Sequence, residues 1–149
     1  MIEANKLIHS NNNNITECCA SFLKNGITYA SIGLIEGKRL YSAFTDNKWQ
    51  EIYVNLSLHH HDPSFNAAIK MPNMPIFWDM VPKNTKKAAI IMEKRCEMTN
   101  ITSGVTISFK TSGKLLIVTM GAKLDSQDFV TNFNENIISK LNIKEILCD

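Results

Sequence analysis

The segment 104–122 constrains the fold more than any other part of the chain, because its hairpin register can be read from the residues. Ser112-Gly113 is a favoured turn pair, and a two-residue loop there places Thr106 opposite Thr119. Side chains alternate between the two faces of a strand. One face is then wholly apolar and consists of Val105, Ile107, Phe109, Leu116, Val118 and Met120. The other face mixes hydroxyl and apolar groups, namely Thr106, Ser108, Ile117 and Thr119.

The remaining elements are helices and a second hairpin. Two apolar runs between 27 and 44, joined by Glu36-Gly37-Lys38, predict that hairpin, and 76–78 could add an edge strand. Helices are expected at 16–25, with Thr16 as N-cap, at 46–61, 63–70 and 85–97, and from 125 onward. The order predicts an α/β (α+β) fold, a three-layer α-β-α sandwich with a central antiparallel sheet, similar to PAS and GAF domains. Residues 15–149 are expected to form the domain and 1–14 a flexible polar N-terminus.

Composition narrows the class of protein. The chain has 149 residues, 44% of them apolar, and a formal net charge of +2, which suits one globular domain and argues against a broad nucleic-acid surface. No apolar run approaches the roughly 20 residues of a membrane span, and the opening lacks the apolar core of a signal peptide. Since none of the four cysteines has a C-x-x-C partner, we expect reduced thiols and a cytoplasmic location.

A set of residues at defined separations carries the functional hypothesis. Trp49 and Tyr53 share one face of a predicted helix, Asp62-Pro63 follows nine residues after the tyrosine, and Trp78 ends a Pro-x-x-Trp segment. Gly104 opens the last hairpin. Over 27–141 this ordered set resembles the LuxR-type autoinducer-binding domain, the sensory half of quorum-sensing transcription factors.

The resemblance implies a binding site for an N-acyl-homoserine lactone or a similar amphipathic signal. It implies that the Trp49 indole N–H donates to the lactone carbonyl and that Asp62 accepts from the ligand amide. Tyr53 and Trp78 would wall the head group. Two hydroxyls, those of Thr119 and of Thr106 opposite it, would lie near the ligand amide.

The sequence departs from the family pattern at two places. Thr45 stands where many members carry a tyrosine that meets the ligand amide carbonyl, so the ligand pose could differ. The chain ends at Asp149, where the family's helix-turn-helix domain would begin, so no direct nucleic-acid binding is expected of it. An excised sensory domain and a natural protein without a DNA reader both remain open. By resemblance we expect a homodimer, or a heterodimer with a LuxR-type regulator.

Several alternatives stay open beside this hypothesis. Taken singly, Trp49 and Tyr53 fit an ordinary core, Asp62 a helix cap and Gly104 a strand start. The chain could instead act without ligand, as a dimerisation partner and antagonist of full-length regulators. It could also be a PAS- or GAF-like sensor of an unrelated molecule.

No other chemistry is predicted. The consecutive His59, His60 and His61 point about 100° apart on a helix, so they cannot converge on one metal ion, and they fit a solvated helix end. A basic group (Lys83, Lys86, Lys87, Lys94 and Arg95) predicts a solvated helix face. No nucleophile elbow, phosphate loop or acid–base pair is present in the sequence, so neither an enzyme nor a cofactor is expected.

Overall fold

A computed structural model describes residues 6–9, 13–138 and 141 of the chain. Six strands form one sheet: β1 (Lys6–His9), β2 (Tyr29–Glu36), β3 (Arg39–Phe44), β4 (Ile76–Phe77), β5 (Ser103–Thr111) and β6 (Lys114–Ala122). The α-helices are α1 (Asn13–Ser21), α2 (Asn47–Asn55), α3 (Pro63–Lys70), α4 (Lys86–Thr99) and α5 (Ser126–Asn132). Short 3-10 turns lie at Leu58–His60 and Trp78–Met80, and a π-helical turn at Phe133–Ile137 follows α5.

The sheet has the strand order β1-β3-β2-β6-β5-β4. The neighbouring pairs β3–β2, β2–β6, β6–β5 and β5–β4 are antiparallel. The predicted register of the last hairpin is confirmed, since Thr106 pairs with Thr119 and Ile107 with Val118. The positive φ of 47° at Ser112 and of 77° at Gly113 matches the two-residue turn that this register requires.

Helices cover both faces of the sheet, which confirms the three-layer sandwich. Helices α1 and α5 pack on the apolar face through residues that include Cys19 and Phe129, and the π-helical turn adds Phe133. Helices α2, α3 and α4 pack on the opposite face, through Trp49, Ile69 and other side chains. The site described below lies between the sheet and this second helical layer.

Acidic or hydroxyl side chains cap the helices around this layer. Asp46 accepts from the Trp49 backbone N–H at the start of α2, and Thr85 accepts from the Ala88 N–H at the start of α4. Asp62 caps α3, with Pro63 at its first turn, where a missing N–H has no cost. These caps fix the entry points of the helices that carry the site.

The N-terminal region corrects two predictions. Lys6–His9 form β1, which pairs in parallel with β3, so the sheet is not antiparallel throughout and the first 14 residues are not uniformly loop. Helix α1 begins at Asn13, so Thr16 lies inside it and is not its N-cap. In the part of the chain that the structure describes, no helix is both long and apolar enough to cross a membrane.

Candidate functional site

Asp62 lies at the centre of a buried polar group. Its position as the N-cap of α3 directs the carboxylate at Ser64, whose N–H and hydroxyl both donate to Oδ1, at 3.1 and 2.8 Å. The hydroxyl of Tyr53 donates to Oδ2 at 2.8 Å. A guanidinium N–H of Arg95 also donates to Oδ2 and completes a buried ion pair.

Arg95 comes from α4 and is enclosed by three aromatic rings. Its guanidinium carbon lies 5.6 Å from the ring centre of Trp49, 5.7 Å from that of Tyr53 and 5.1 Å from that of Trp78. Only 3% of the Arg95 surface is exposed. These distances fit cation–π attraction, which is strongest when the cation is desolvated. We call the three rings the aromatic cage.

Trp78 connects the cage to the polar face of the sheet. Its indole N–H donates to the hydroxyl of Thr106 at 3.0 Å, and that hydroxyl is 3.3 Å from the hydroxyl of Thr119. A Cβ atom on Gly104 would come within 2.5 Å of the Trp78 ring. The glycine is therefore needed because the indole lies flat against the backbone of β5.

Trp49 carries a buried donor that no group in the described part of the chain satisfies. The residue is 1% exposed, and within the described residues its indole Nε1–H has no hydrogen-bond partner. Arg95 Nε is in the same state, buried and without an acceptor in that part of the chain. Buried donors are rarely left unsatisfied, so both are candidates for ligand contact.

The ion pair keeps both of its members charged. Burial by itself raises the pKa of Asp62, but the Arg95 charge and the hydrogen bonds it receives outweigh this, and the pKa lies below its ordinary value. Burial lowers the pKa of Arg95, but the Asp62 carboxylate outweighs it and the pKa is raised. Burial, and then the neighbouring carboxylate, raise the pKa of Tyr53, which stays neutral and donates.

A small cavity adjoins this group. It holds about 30 Å³, room for about one water molecule. Its lining includes Ser31, Ser42, Phe44, Phe65, Ile117 and Thr119, beside Tyr53, Asp62 and Arg95. The lining thus combines hydroxyl groups with apolar side chains, a mixture that suits an amphipathic molecule.

The structure brings most of the predicted site residues together. Those that meet are Trp49, Tyr53, Asp62, Trp78, Thr106 and Thr119. Thr45 lies apart from them: its hydroxyl bonds the backbone of Ala30, at 3.0 Å to the N–H and 3.1 Å to the carbonyl. Pro63 lies in the first turn of α3, and Gly104 lies against the Trp78 ring.

Arg95 is the residue that sequence reasoning missed. The charge pattern predicts a solvated basic face at this position, but Arg95 is buried because it continues the inward stripe of α4 formed by Ala88, Ile91 and Met92. The spacing of that stripe was a usable signal. The three-histidine prediction also needs correction, since His59 is 3% exposed and contacts the ring of Phe65.

The buried polar groups around Asp62 form one hydrogen-bonded network. Its carboxylate is fully hydrogen-bonded and paired with a cation, which suits a fixed recognition element. No group of three metal-ligating side chains occurs among the residues whose positions are described. We define the polar cluster as Trp49, Tyr53, Asp62, Trp78, Arg95, Thr106 and Thr119.

Comparison with solved structures shows the same fold in known regulators. One is CepR2 from Burkholderia cenocepacia, described as an N-acylhomoserine lactone dependent LuxR family transcription factor. It is 14% identical with a TM-score of 0.58, over 84% of this chain and 81% of that chain. Another is SdiA from Escherichia coli, 14% identical with a TM-score of 0.53, over 87% of this chain and 64% of that one.

SdiA in complex with octanoyl-rac-glycerol matches in the same way, with 13% identity, a TM-score of 0.53, and 87% and 62% of the two chains covered. This chain therefore spans less than two thirds of the SdiA chains. No curated protein sequence matches it significantly. The family model of the autoinducer binding domain matches residues 27–142, which includes every residue of the polar cluster. The chain belongs to the autoinducer-binding domain family.

Proposed function

We propose that this domain binds a small, uncharged amphipathic signal of the N-acyl-homoserine lactone kind and serves quorum-sensing regulation of transcription. The binding site is the polar cluster and the cavity beside it. CepR2 is described as dependent on an N-acylhomoserine lactone, and SdiA was solved with octanoyl-rac-glycerol. Both ligands join an uncharged polar head group to an acyl chain, and they indicate the ligand class proposed here.

The observation that carries the proposal is the unsatisfied indole N–H of Trp49. It lies against Tyr53 and Arg95, with ring centres of Trp49 and Tyr53 5.8 Å apart. A buried donor without an acceptor costs about 1–3 kcal/mol. A carbonyl oxygen of a bound head group would remove that cost, so the unliganded site favours a ligand with an acceptor at this point.

Charge in the cluster supports an uncharged head group. Asp62 and Arg95 are both fully buried and neutralise each other. A charged head group would introduce an uncompensated charge beside this pair, at a large desolvation cost. A lactone or ester has strong acceptors and no net charge.

The acyl chain would extend from the cluster between the sheet and α3. Phe44, Phe65 and Ile117 line the cavity, and Gly33 is part of its lining too. Because the cavity now holds about 30 Å³, an acyl chain enters only if these side chains move. Binding is then coupled to a local opening of the α3 layer, at a cost that the buried apolar area offsets.

A thermal-shift titration tests the proposal. The ligands are three octanoyl compounds: N-octanoyl homoserine lactone, the octanoic ester of α-hydroxy-γ-butyrolactone, and octanoyl glycerol. At a hundred times Kd a ligand adds about 2.7 kcal/mol, which raises Tm by about 5–15 °C in a domain of this size. Trp49→Phe should weaken binding about tenfold or more, whereas Ile107→Val on the opposite face should not. If none of the three compounds raises Tm, the proposal is contradicted.

A second candidate is a partner role without ligand, in the cytoplasm, through dimerisation with a full-length LuxR-type regulator. The observation that favours it is that Arg95 already fills the aromatic cage and completes the hydrogen bonding of Asp62. Co-purification with such a regulator that is unaffected by the three octanoyl compounds would support this role. A chain that stays monomeric with and without the regulator contradicts it.

A further inference from the structure

The hydrogen-bonding capacity of Asp62 is used up inside the protein. An ionised carboxylate offers about four lone-pair sites. Oδ2 accepts from Tyr53 and from Arg95, and Oδ1 accepts from the hydroxyl and the N–H of Ser64. An N–H arriving on a ligand would find no free acceptor on this carboxylate.

The donors of the cluster are in surplus. Trp49 Nε1 and Arg95 Nε have no acceptor within the described part of the chain. Thr106 already accepts from the Trp78 indole, so its own proton is available for Thr119. When Thr106 donates to Thr119, the Thr119 hydroxyl proton is left free to donate to a group in the cavity, which Thr119 lines. The cluster therefore needs acceptors from a ligand and has donors to give.

Arg95 causes this imbalance. It supplies one of the two donors to Asp62 Oδ2 and adds an unsatisfied N–H of its own, and it does so from within the aromatic cage. Its other terminal nitrogen donates to the sulfur of Met92, at 3.4 Å, which is a weak acceptor.

We propose that Arg95 is the specificity-determining residue of this pocket, and that it selects acyl esters, whose acyl linkage carries no N–H, over acyl amides. This inference rests on the proposed function. An amide N–H directed at Asp62 meets acceptor sites that are already taken, whereas an ester oxygen at the same position has no proton to satisfy. The expected preference is about tenfold or more in Kd.

A matched pair of ligands tests this directly. N-octanoyl homoserine lactone and the octanoic ester of α-hydroxy-γ-butyrolactone differ only by an N–H in place of an oxygen. Calorimetric titration of the wild-type chain should give a Kd for the ester about tenfold or more below that for the amide. An equal or lower Kd for the amide overturns the inference, while binding itself still supports the proposed function.

Variants at Arg95 and Tyr53 test whether the occupied acceptor sites of Asp62 cause the preference for the ester. Arg95→Met frees an acceptor site on Asp62 and should reverse the preference to the amide, whereas Arg95→Lys keeps a cation at the carboxylate and should keep the ester preference. Tyr53→Phe also frees a site on Oδ2 and keeps the ring, so it should raise amide affinity about tenfold even if Arg95→Met does not fold.

The outcomes separate the two proposals. An ester preference that is unchanged in folded Arg95→Met, or in Tyr53→Phe if the first variant fails to fold, overturns the role of Arg95. Absence of binding by both ligands to the wild-type chain and to every variant overturns the proposed function, and the specificity inference with it.

Discussion

The two faces of the sheet are built from alternate residues of the same strands, yet they differ in kind. The face under α1 and α5 is filled with apolar side chains such as Val118 and Met120, which have no exposed surface. The face under α2, α3 and α4 buries hydroxyls, a carboxylate and a guanidinium; Thr106, Asp62 and Arg95 are each at most 3% exposed.

The comparison separates the face that stabilises the fold, under α1 and α5, from the face proposed to bind a ligand, under α2, α3 and α4. Burying apolar area stabilises the fold without further conditions. Burying an ion pair is often neutral or unfavourable relative to an apolar core of the same volume. A stable sandwich gains little from such a cluster, which agrees with the ligand-binding role proposed for it above.

The largest expected effect comes from breaking the ion pair on the face proposed to bind a ligand. Asp62→Ala leaves Arg95 buried and uncompensated, and should lower the free energy of unfolding by about 3–5 kcal/mol, measured by urea denaturation. The double variant Asp62→Leu/Arg95→Met should recover most of this loss. A single variant within 1 kcal/mol of wild type would show that the pair is not desolvated as described.

Truncation on the opposite face should have a comparable but somewhat smaller effect. Met120→Ala should cost about 2–4 kcal/mol, because it leaves a cavity in the apolar layer. Calorimetric titration of the folded variant should give the same ligand Kd as wild type within about twofold. A large change in Kd would mean that the two faces are not functionally separate.

Gly104→Ala tests the close approach of the Trp78 ring to the backbone. The added Cβ would come within 2.5 Å of the ring, so the variant should lose about 1–3 kcal/mol in urea denaturation through overpacking. Adding Trp78→Leu should relieve the clash, so that the double variant loses less than the sum of the two single losses. Strict additivity would argue against contact between the two residues.

Thr106→Val removes the acceptor of the Trp78 indole and nearly keeps the shape. We expect a loss of about 1–2 kcal/mol in the free energy of unfolding, since a buried donor is left unpaired. Thr106→Ser keeps the hydroxyl and should lose less. Equal losses in the two variants would show that packing of the methyl group, and not the hydrogen bond, matters here.

The smallest effect is a dependence on pH. The pKa of Asp62 is lower in the folded state than its ordinary value, so the unfolded state binds the proton more readily. The stabilisation of the fold by the ionised Asp62 carboxylate is therefore complete above about pH 4, and it is lost as the pH falls through the pKa of Asp62 in the folded state. The stability advantage of the wild type over Asp62→Asn should shrink from pH 5 to pH 3 in urea denaturation. An advantage that grows on acidification would contradict the assigned direction.

Much of this arrangement could be predicted from residues because it follows local rules. The hairpin register comes from the Ser112-Gly113 turn, and the break before α3 comes from Pro63, whose geometry disfavours a helix at the preceding residue. The meeting of Trp49 with Asp62 and Trp78 was expected from the family resemblance, and the structure brings the three side chains together.

The rest depended on tertiary contacts that no local rule reveals. Arg95 was read as a surface residue because arginine is mostly exposed, and its burial depends on a carboxylate 33 residues away. The resemblance places Thr45 in the site, but its hydroxyl is hydrogen-bonded to the backbone N–H and carbonyl of Ala30 in β2. The volume of the cavity depends on how α3 and α4 pack, which the hydrophobic pattern alone leaves open.

The most direct test of a ligand site at the polar cluster is to follow the indole N–H signals of the two tryptophans by nuclear magnetic resonance. With two tryptophans in the sequence, a ¹H–¹⁵N spectrum should show two indole resonances, which Trp49→Phe assigns. Saturation with either octanoyl lactone compound, ester or amide, should move the Trp49 signal as its N–H gains an acceptor, and move the Trp78 signal less, since Thr106 already accepts from it. An unmoved Trp49 signal at saturating concentrations of both compounds would contradict a ligand site at the polar cluster.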